Sequence, residues 1–192
     1  IGPWRSFLER RHKATEIVNI GLVGKYDLQD AYKSILEALS QAGTYNDHKV
    51  KTHFINSEKI TEDTVAEMLS PMDGIVICPG FGQRGIEGKI TAAKYCRTHN
   101  IPTFGICLGM QMMVVEFARN VLGYEDANSS EMDSKTAHNV IDIMEEQKNI
   151  TNMGGTMRLG AYECNLRKDS RVYEIYGKET IHERHRHRYE FN

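Results

Sequence analysis

The 192-residue chain has the length of one domain, since a single core usually serves roughly 100–200 residues. Its 24 Lys and Arg against 26 Asp and Glu give a net charge of −2, so it lacks the basic surplus that proteins binding nucleic acid or anionic membranes carry. No apolar run approaches the roughly 18–20 residues that span a bilayer, so neither nucleic acid nor a membrane is expected as partner.

Along the chain, apolar segments alternate between the periods of strands and of helices. Residues 1–16 are polar and are predicted to be a solvated linker. The pattern then predicts strands at 17–24, 50–55, 74–78 and 102–106, and helices over about 31–42, 61–69, 90–98 and 108–122. Gly43 is expected to end the first of these helices and Thr61 to cap the second. Later runs at 140–143 and 171–173 have a β-like pattern. Such alternation predicts an α/β fold with a parallel sheet covered on both faces.

In a parallel sheet, ligands bind beyond the carboxyl ends of the strands. The loops that follow Val23, Cys78 and Ile106 are therefore expected on one rim. The four cysteines show no paired spacing, which disfavours both a zinc site and a disulfide framework.

Cys107 is the residue whose surroundings most clearly indicate chemistry. Gly105 and Gly109 flank it between an apolar strand and an apolar helix, a pattern that permits a strained turn and lifts the side chain above the sheet. The helix N-terminus favours a thiolate there, and the Leu108 N–H can point at an oxyanion. The alternative is a buried cysteine between two packing glycines.

A second glycine-rich segment, residues 79–85, follows the third strand. Its glycines let backbone amides turn towards a ligand, but it lacks the spacing of a phosphate-binding loop. A second oxyanion donor beside Cys107 fits better than a phosphate cradle, and a plain turn remains the alternative.

Six blocks of sequence together resemble class I glutamine amidotransferases and, more narrowly, the C-terminal domain of CTP synthases. The blocks are 24–26 with 30–34, 79–88, 105–111, 127–131, 154–160 and 183–190. The resemblance implies a flavodoxin-like, doubly wound, mostly parallel sheet over one domain, residues 17–192. It also implies that residues 1–16 are a linker from a synthetase domain.

The resemblance further implies the reaction. Glutamine is hydrolysed through a cysteinyl thioester, and the ammonia aminates UTP to CTP in a synthetase domain of the same polypeptide, making the enzyme a cytoplasmic ligase of pyrimidine biosynthesis. ATP, UTP and magnesium are expected in that synthetase domain and GTP as an effector, with no cofactor or metal in this one. A homotetramer is expected for the full-length enzyme.

Site residues are carried over by motif. They are Cys107 as nucleophile, Gly80 and Leu108 as oxyanion-hole and substrate-binding amides, Gln111, Glu131 and Arg188 as glutamine contacts, and Arg158 in an effector-linked lid. The chemistry agrees, because the Arg188 guanidinium can grip an α-carboxylate as a fork and Glu131 can pair with an α-ammonium.

Two features depart from the family. The Phe-His-Pro-Glu motif that supplies the base and its orienting carboxylate has no counterpart up to Asn192, so the domain is expected to be truncated at its C-terminal end; His187 and Glu190 are not taken as substitutes. The glycine loop has one glycine, not two, before Phe81, which leaves open which amide completes the oxyanion hole. A catalytically silent docking module is the main alternative. A hydrolase of another γ-glutamyl compound is disfavoured, since Arg188 and Glu131 together suit a free amino-acid head.

Overall fold

The computed structural model describes residues 2–26, 29–152, 154–157 and 159–192, with only the backbone at Gln29. The chain divides into two compact units, one up to Ile141 and one from Asp142 onwards. The predicted limits, a linker over 1–16 and a single domain over 17–192, stay predictions.

The first unit alternates strands and helices, as the sequence predicts. Its helices are α1 Gly2–Lys13, α2 Lys33–Tyr45, α3 Val65–Leu69, α4 Ile86–Thr98 and α5 Leu108–Asn120. Its strands are β1 Ile17–Gly24, β2 Lys49–Asn56, β3 Gly74–Ile77, β4 Thr103–Gly105 and β5 Asn128–Ser129, and β6 Asn139–Ile143 crosses into the second unit. Within the described residues, no helix has the length and apolar character that a membrane crossing requires.

The main sheet has the strand order β2-β1-β3-β4, and every neighbouring pair in it is parallel. This order matches the flavodoxin-like, doubly wound arrangement, in which the chain switches direction across the sheet between β1 and β3. The predicted fold class is confirmed. The switch point puts the loops that follow β1 and β3 side by side.

Two apolar cores cover the two faces of this sheet, because successive side chains of a strand point to opposite faces. Val23 and Ile77 face one core, which α3 and α4 complete, whereas Leu22 and Val76 face the other. That second core is completed by Tyr32 and by partly buried residues of α2. The strands are apolar almost throughout because both of their faces are buried.

Helix boundaries differ from the sequence prediction where packing decides them. Helix α2 does not end at Gly43 but continues to Tyr45. Within the helix, Gly43 is needed for close packing, since a Cβ at this position would lie 2.7 Å from Val50 Cγ2. Helix α3 begins only at Val65, with Thr64 at its N-cap position, so the predicted Thr61 cap is wrong.

The segment predicted as a linker contains helix α1, none of whose residues is buried. Its Arg10 side chain donates to both carboxylate oxygens of Asp47, at 2.8 and 2.9 Å, and to the Tyr45 carbonyl oxygen at 2.6 Å. Helix α1 is thus tied to the end of α2 by polar contacts at the surface.

The second unit contains β7 Gly160–Asn165, α6 Arg171–Tyr176, β8 Thr180–His185 and β9 Tyr189–Phe191. Strands β7 and β8 pair antiparallel. The β-like prediction at 171–173 is wrong, because Ser170 caps a helix there by accepting a hydrogen bond from the Tyr173 N–H, and Gly177 ends it at φ 62°. The hydrophobic pattern of residues 171–173 is compatible with a strand or a helix, and the capping residues decide for a helix.

Candidate active site

The carboxyl edge of the main sheet brings together the three loops that the sequence places there. Lys25 follows β1, the segment from Cys78 to Gly82 follows β3, and Cys107 follows β4. The Lys25 ammonium donates to the carbonyl oxygens of Phe81 and Gly82, the latter at 3.2 Å, so the first loop holds the second in place.

Cys107 occupies the strained strand-to-helix turn that its flanking glycines predict. Its backbone lies at φ 54° and ψ −114°, a conformation that costs a non-glycine residue about 1–3 kcal/mol. The Ile106 N–H donates to the Ile77 carbonyl oxygen at 3.0 Å before the turn, and the Gln111 N–H donates to the Cys107 carbonyl oxygen at 3.1 Å after it. Hydrogen bonds on both sides thus fix the half-buried thiol at the start of α5.

Gly109 is required because α5 begins directly against β3. A Cβ at this position would lie 1.9 Å from the Ile77 carbonyl oxygen, a backbone atom that cannot swing away. We expect Gly109→Ala to lower the free energy of unfolding by about 3 kcal/mol or more, as overpacking against backbone does. Urea denaturation would measure the loss, with Gly2→Ala as control, since no atom lies within 4 Å of an added methyl group at Gly2. Equal midpoints for the two variants would contradict the close approach.

The two residues whose amides are predicted to bind an oxyanion, Gly80 and Leu108, lie close together. The Gly80 N–H is buried and meets no acceptor within the described part of the chain. A Cβ at Gly80 would lie 3.7 Å from Leu108 Cδ2, so the loop after β3 reaches the first residue of α5. The Leu108 amide acts on the Cys107 sulfur, whose pKa it lowers. A buried amide without an acceptor among the described residues, next to the residue that follows the nucleophile, suits a developing oxyanion.

Burial raises the pKa of the Cys107 thiol above its ordinary value. The Leu108 amide and then the Lys89 ammonium lower that pKa, and Glu131 raises it. The helix N-terminus therefore favours the thiolate, as the sequence predicts, but desolvation outweighs it. At neutral pH the resting sulfur is a thiol, and its activation needs a base.

Glu131 lies within electrostatic reach of the nucleophile. Its carboxylate interacts with Lys25, which lowers the pKa of Glu131, while partial burial raises that pKa more strongly. The Glu131 N–H donates to Ser129 Oγ at 3.2 Å, which fixes the residue just after β5. Gln111 is buried in α5, one turn after Cys107.

Arg188 belongs to the second unit and is held there by two side chains. Its guanidinium donates to Gln147 Oε1 at 2.7 Å and to Thr156 Oγ1 at 2.9 Å, and Gln147 Nε2 donates to the Thr156 carbonyl oxygen at 3.0 Å. Arg158, the predicted lid residue, lies outside the described residues. The roles given to these two arginines stay predictions.

Two lysines at this edge of the sheet, Lys25 and Lys89, belong to the site although the sequence pattern does not predict a role for them. Lys25 is 4% exposed and Lys89 is fully buried. A signal for Lys89 is present in the sequence, since Ile86, Ala92 and Ala93 stand three before, three after and four after it and share its helix face. A lysine on an apolar helix face is rare enough to single out.

Comparison with known proteins agrees with this geometry. The profile of the family described as Glutamine amidotransferase class-I matches residues 27–192. The chain therefore belongs to the class I glutamine amidotransferase family.

The relatives with high sequence identity are CTP synthases. The chain is 74% identical to a CTP synthase of Bacteroides thetaiotaomicron over its whole length, and 61% identical to one of Porphyromonas gingivalis over 98% of it. It spans 36% and 35% of those two proteins, about a third of their length. Among solved structures, the Trypanosoma brucei CTPS glutaminase domain with bound acivicin is 40% identical, with a TM-score of 0.83 over 91% of this chain and 68% of that one.

Proposed function

We propose that this chain hydrolyses glutamine through a thioester on Cys107, and that the ammonia aminates UTP to CTP in a synthetase part of the same protein. The observations that carry the proposal are the strained backbone of Cys107 and, next to Leu108, the buried Gly80, whose amide meets no acceptor within the described residues. Its relatives named CTP synthase support the destination of the ammonia.

The chemistry follows from the groups at the turn. The Cys107 sulfur, once its proton has been transferred to a base, attacks the carboxamide carbon of glutamine, and the carbonyl oxygen becomes an oxyanion facing the Gly80 and Leu108 amides. Collapse of this intermediate breaks the C–N bond, and the nitrogen leaves as ammonia after taking up a proton. Water then attacks the thioester, which releases glutamate and restores the thiol.

The amino-acid head of glutamine needs charged partners of its own. We assign the α-ammonium to Glu131 and the α-carboxylate to Arg188, with Gln111 as a further contact. A carboxylate held by a planar guanidinium makes two parallel hydrogen bonds, which fixes orientation as well as adding affinity.

The remaining assignments rest on the CTP synthase relatives. ATP, UTP and magnesium belong to the proposed synthetase part, and GTP is the proposed effector, acting through the lid that contains Arg158. A homotetramer and a cytoplasmic location complete the proposal.

Covalent labelling tests the glutaminase step directly. The natural full-length protein, incubated with the glutamine-analogue electrophile diazo-oxo-norleucine, should gain one adduct, which peptide mass spectrometry should place on Cys107. Cys107→Ser should gain none, whereas Cys164→Ala, which removes an exposed cysteine, should label as the natural protein does. Absence of the adduct from the natural protein would favour a silent docking module instead.

A further inference from the structure

Lys89 is a cation buried below the oxyanion loop. It lies in the first turn of α4, is fully buried, and its ammonium donates to the Cys78 carbonyl oxygen at 2.6 Å. A Cβ at Gly80 would lie 3.8 Å from Lys89 Nζ, so the ammonium reaches the loop that presents the Gly80 amide. No carboxylate forms an ion pair with Lys89 among the described residues.

A buried ammonium without a carboxylate is costly and calls for an explanation. Burial lowers the pKa of Lys89 to about 8, so the group still carries its charge at neutral pH. The groups that act on it electrostatically are the thiols of Cys78 and Cys107, which raise its pKa, and Lys25, which lowers it.

The two thiols differ in their ability to become the missing anion. Burial raises the pKa of Cys78 to about 12, so that sulfur stays a thiol throughout the neutral range. Cys107 stands at a helix N-terminus, where the Leu108 amide lowers the pKa of its sulfur, and it is half-buried. Of the two, only Cys107 is placed to carry negative charge during a reaction.

We propose that Lys89 is a positioning residue of the glutaminase site, whose buried ammonium anchors the loop after β3 and favours negative charge on the Cys107 sulfur. This inference rests on the proposed function. It extends that function by naming the cation that acts electrostatically on the sulfur when the nucleophile forms and again when it leaves the thioester. Burial and Glu131 act against this effect, so Lys89 and the Leu108 amide supply the contributions that favour negative charge on the sulfur.

The sign of the pH dependence follows from which form of Lys89 is charged. Below a pH of about 8 the ammonium is charged and lowers the pKa of the Cys107 thiol. As Lys89 loses its proton at higher pH, this help disappears. The thiolate should therefore form in two steps in the natural protein, as coupled groups do.

The test is the rate at which iodoacetamide alkylates Cys107, measured against pH on the natural full-length protein and followed by peptide mass spectrometry. Two variants remove the charge: Lys89→Met, and Lys89→Gln, which keeps a donor for the Cys78 carbonyl oxygen. Both should alkylate about tenfold more slowly at pH 7.5, because the pKa of Cys107 rises when the charge is lost, and the thiolate should form in a single step. Lys94→Met is the matched control, since Lys94 lies on the same helix and pairs at the surface with Glu62.

The thermal midpoint and the pH profile together distinguish a structural role of Lys89 from an electrostatic one. Loss of the hydrogen bond to the Cys78 carbonyl oxygen should lower the thermal midpoint of Lys89→Met, so a structural role alone would change that midpoint and leave the pH profile of both variants in place. An unchanged rate and profile in Lys89→Gln would overturn the proposal, because the hydrogen bond would then suffice without the charge. Failure of the natural protein to release ammonia from glutamine would overturn the proposed function instead, and the alkylation profile would still report on Lys89.

Discussion

Cys107→Ala in the natural full-length protein should abolish glutamine-dependent CTP formation while CTP formation from added ammonia continues unchanged. The loss should be on the order of 10⁴-fold or more, since removal of a nucleophile leaves only the weak catalysis of the remaining site. Ammonia bypasses the thioester and needs no sulfur. Steady-state rates with each nitrogen source would measure the split.

The control for this variant is Cys164→Ala, which removes an exposed thiol and should leave both rates unchanged. Loss of both activities in Cys107→Ala would show that the cysteine serves the fold. That outcome would be visible separately as a lower denaturation midpoint. The expected midpoint is about unchanged, because alanine keeps the Cβ and with it the backbone strain of the turn at φ 54°.

Arg188→Ala should raise KM for glutamine by about ten- to a hundredfold, corresponding to the roughly 1.5–3 kcal/mol of a charged hydrogen bond. Its target carboxylate is present in both the ground state and the transition state, so kcat should change much less than KM. Ammonia-dependent synthesis should be unaffected, since ammonia has no carboxylate. Kinetics with both nitrogen sources would measure these values.

Arg167→Ala is the matched control, because Arg167 also lies in the second unit and pairs at the surface with Asp169 at 2.8 Å. Arg188 also donates to Gln147 and Thr156, so its loss will loosen that region as well. A fall in kcat with KM unchanged would contradict carboxylate binding. It would indicate that Arg188 acts by holding these two neighbours.

The sheet and the nucleophile could be predicted because local sterics determine both. Strands apolar on both faces have few arrangements other than a covered parallel sheet. Gly109 has to be a glycine because the Ile77 carbonyl oxygen lies where its Cβ would be. A close contact of this kind can be predicted from the sequence, because it requires glycine at one position. The flanking glycines of Cys107 carry the prediction for the same reason.

Other features depend on contacts that the sequence does not display. Gly43 lies within α2 because Val50 packs onto it, although glycine ordinarily favours a helix end. The resting state of Cys107 depends on how deeply the thiol is buried, which outweighs the helix terminus and cannot be read from a motif. Arg188 could be given a partner only by resemblance, because its neighbours Gln147 and Thr156 lie more than thirty positions away.

The strained backbone at Cys107 creates a trade-off between activity and thermal stability. Glycine would occupy φ 54° and ψ −114° without the strain of about 1–3 kcal/mol that a side chain brings. A library of variants screened for heat resistance alone would therefore enrich glycine at this position, which has no nucleophile. Engineering of this scaffold needs an activity screen at each round, because the most direct gain in stability removes the sulfur.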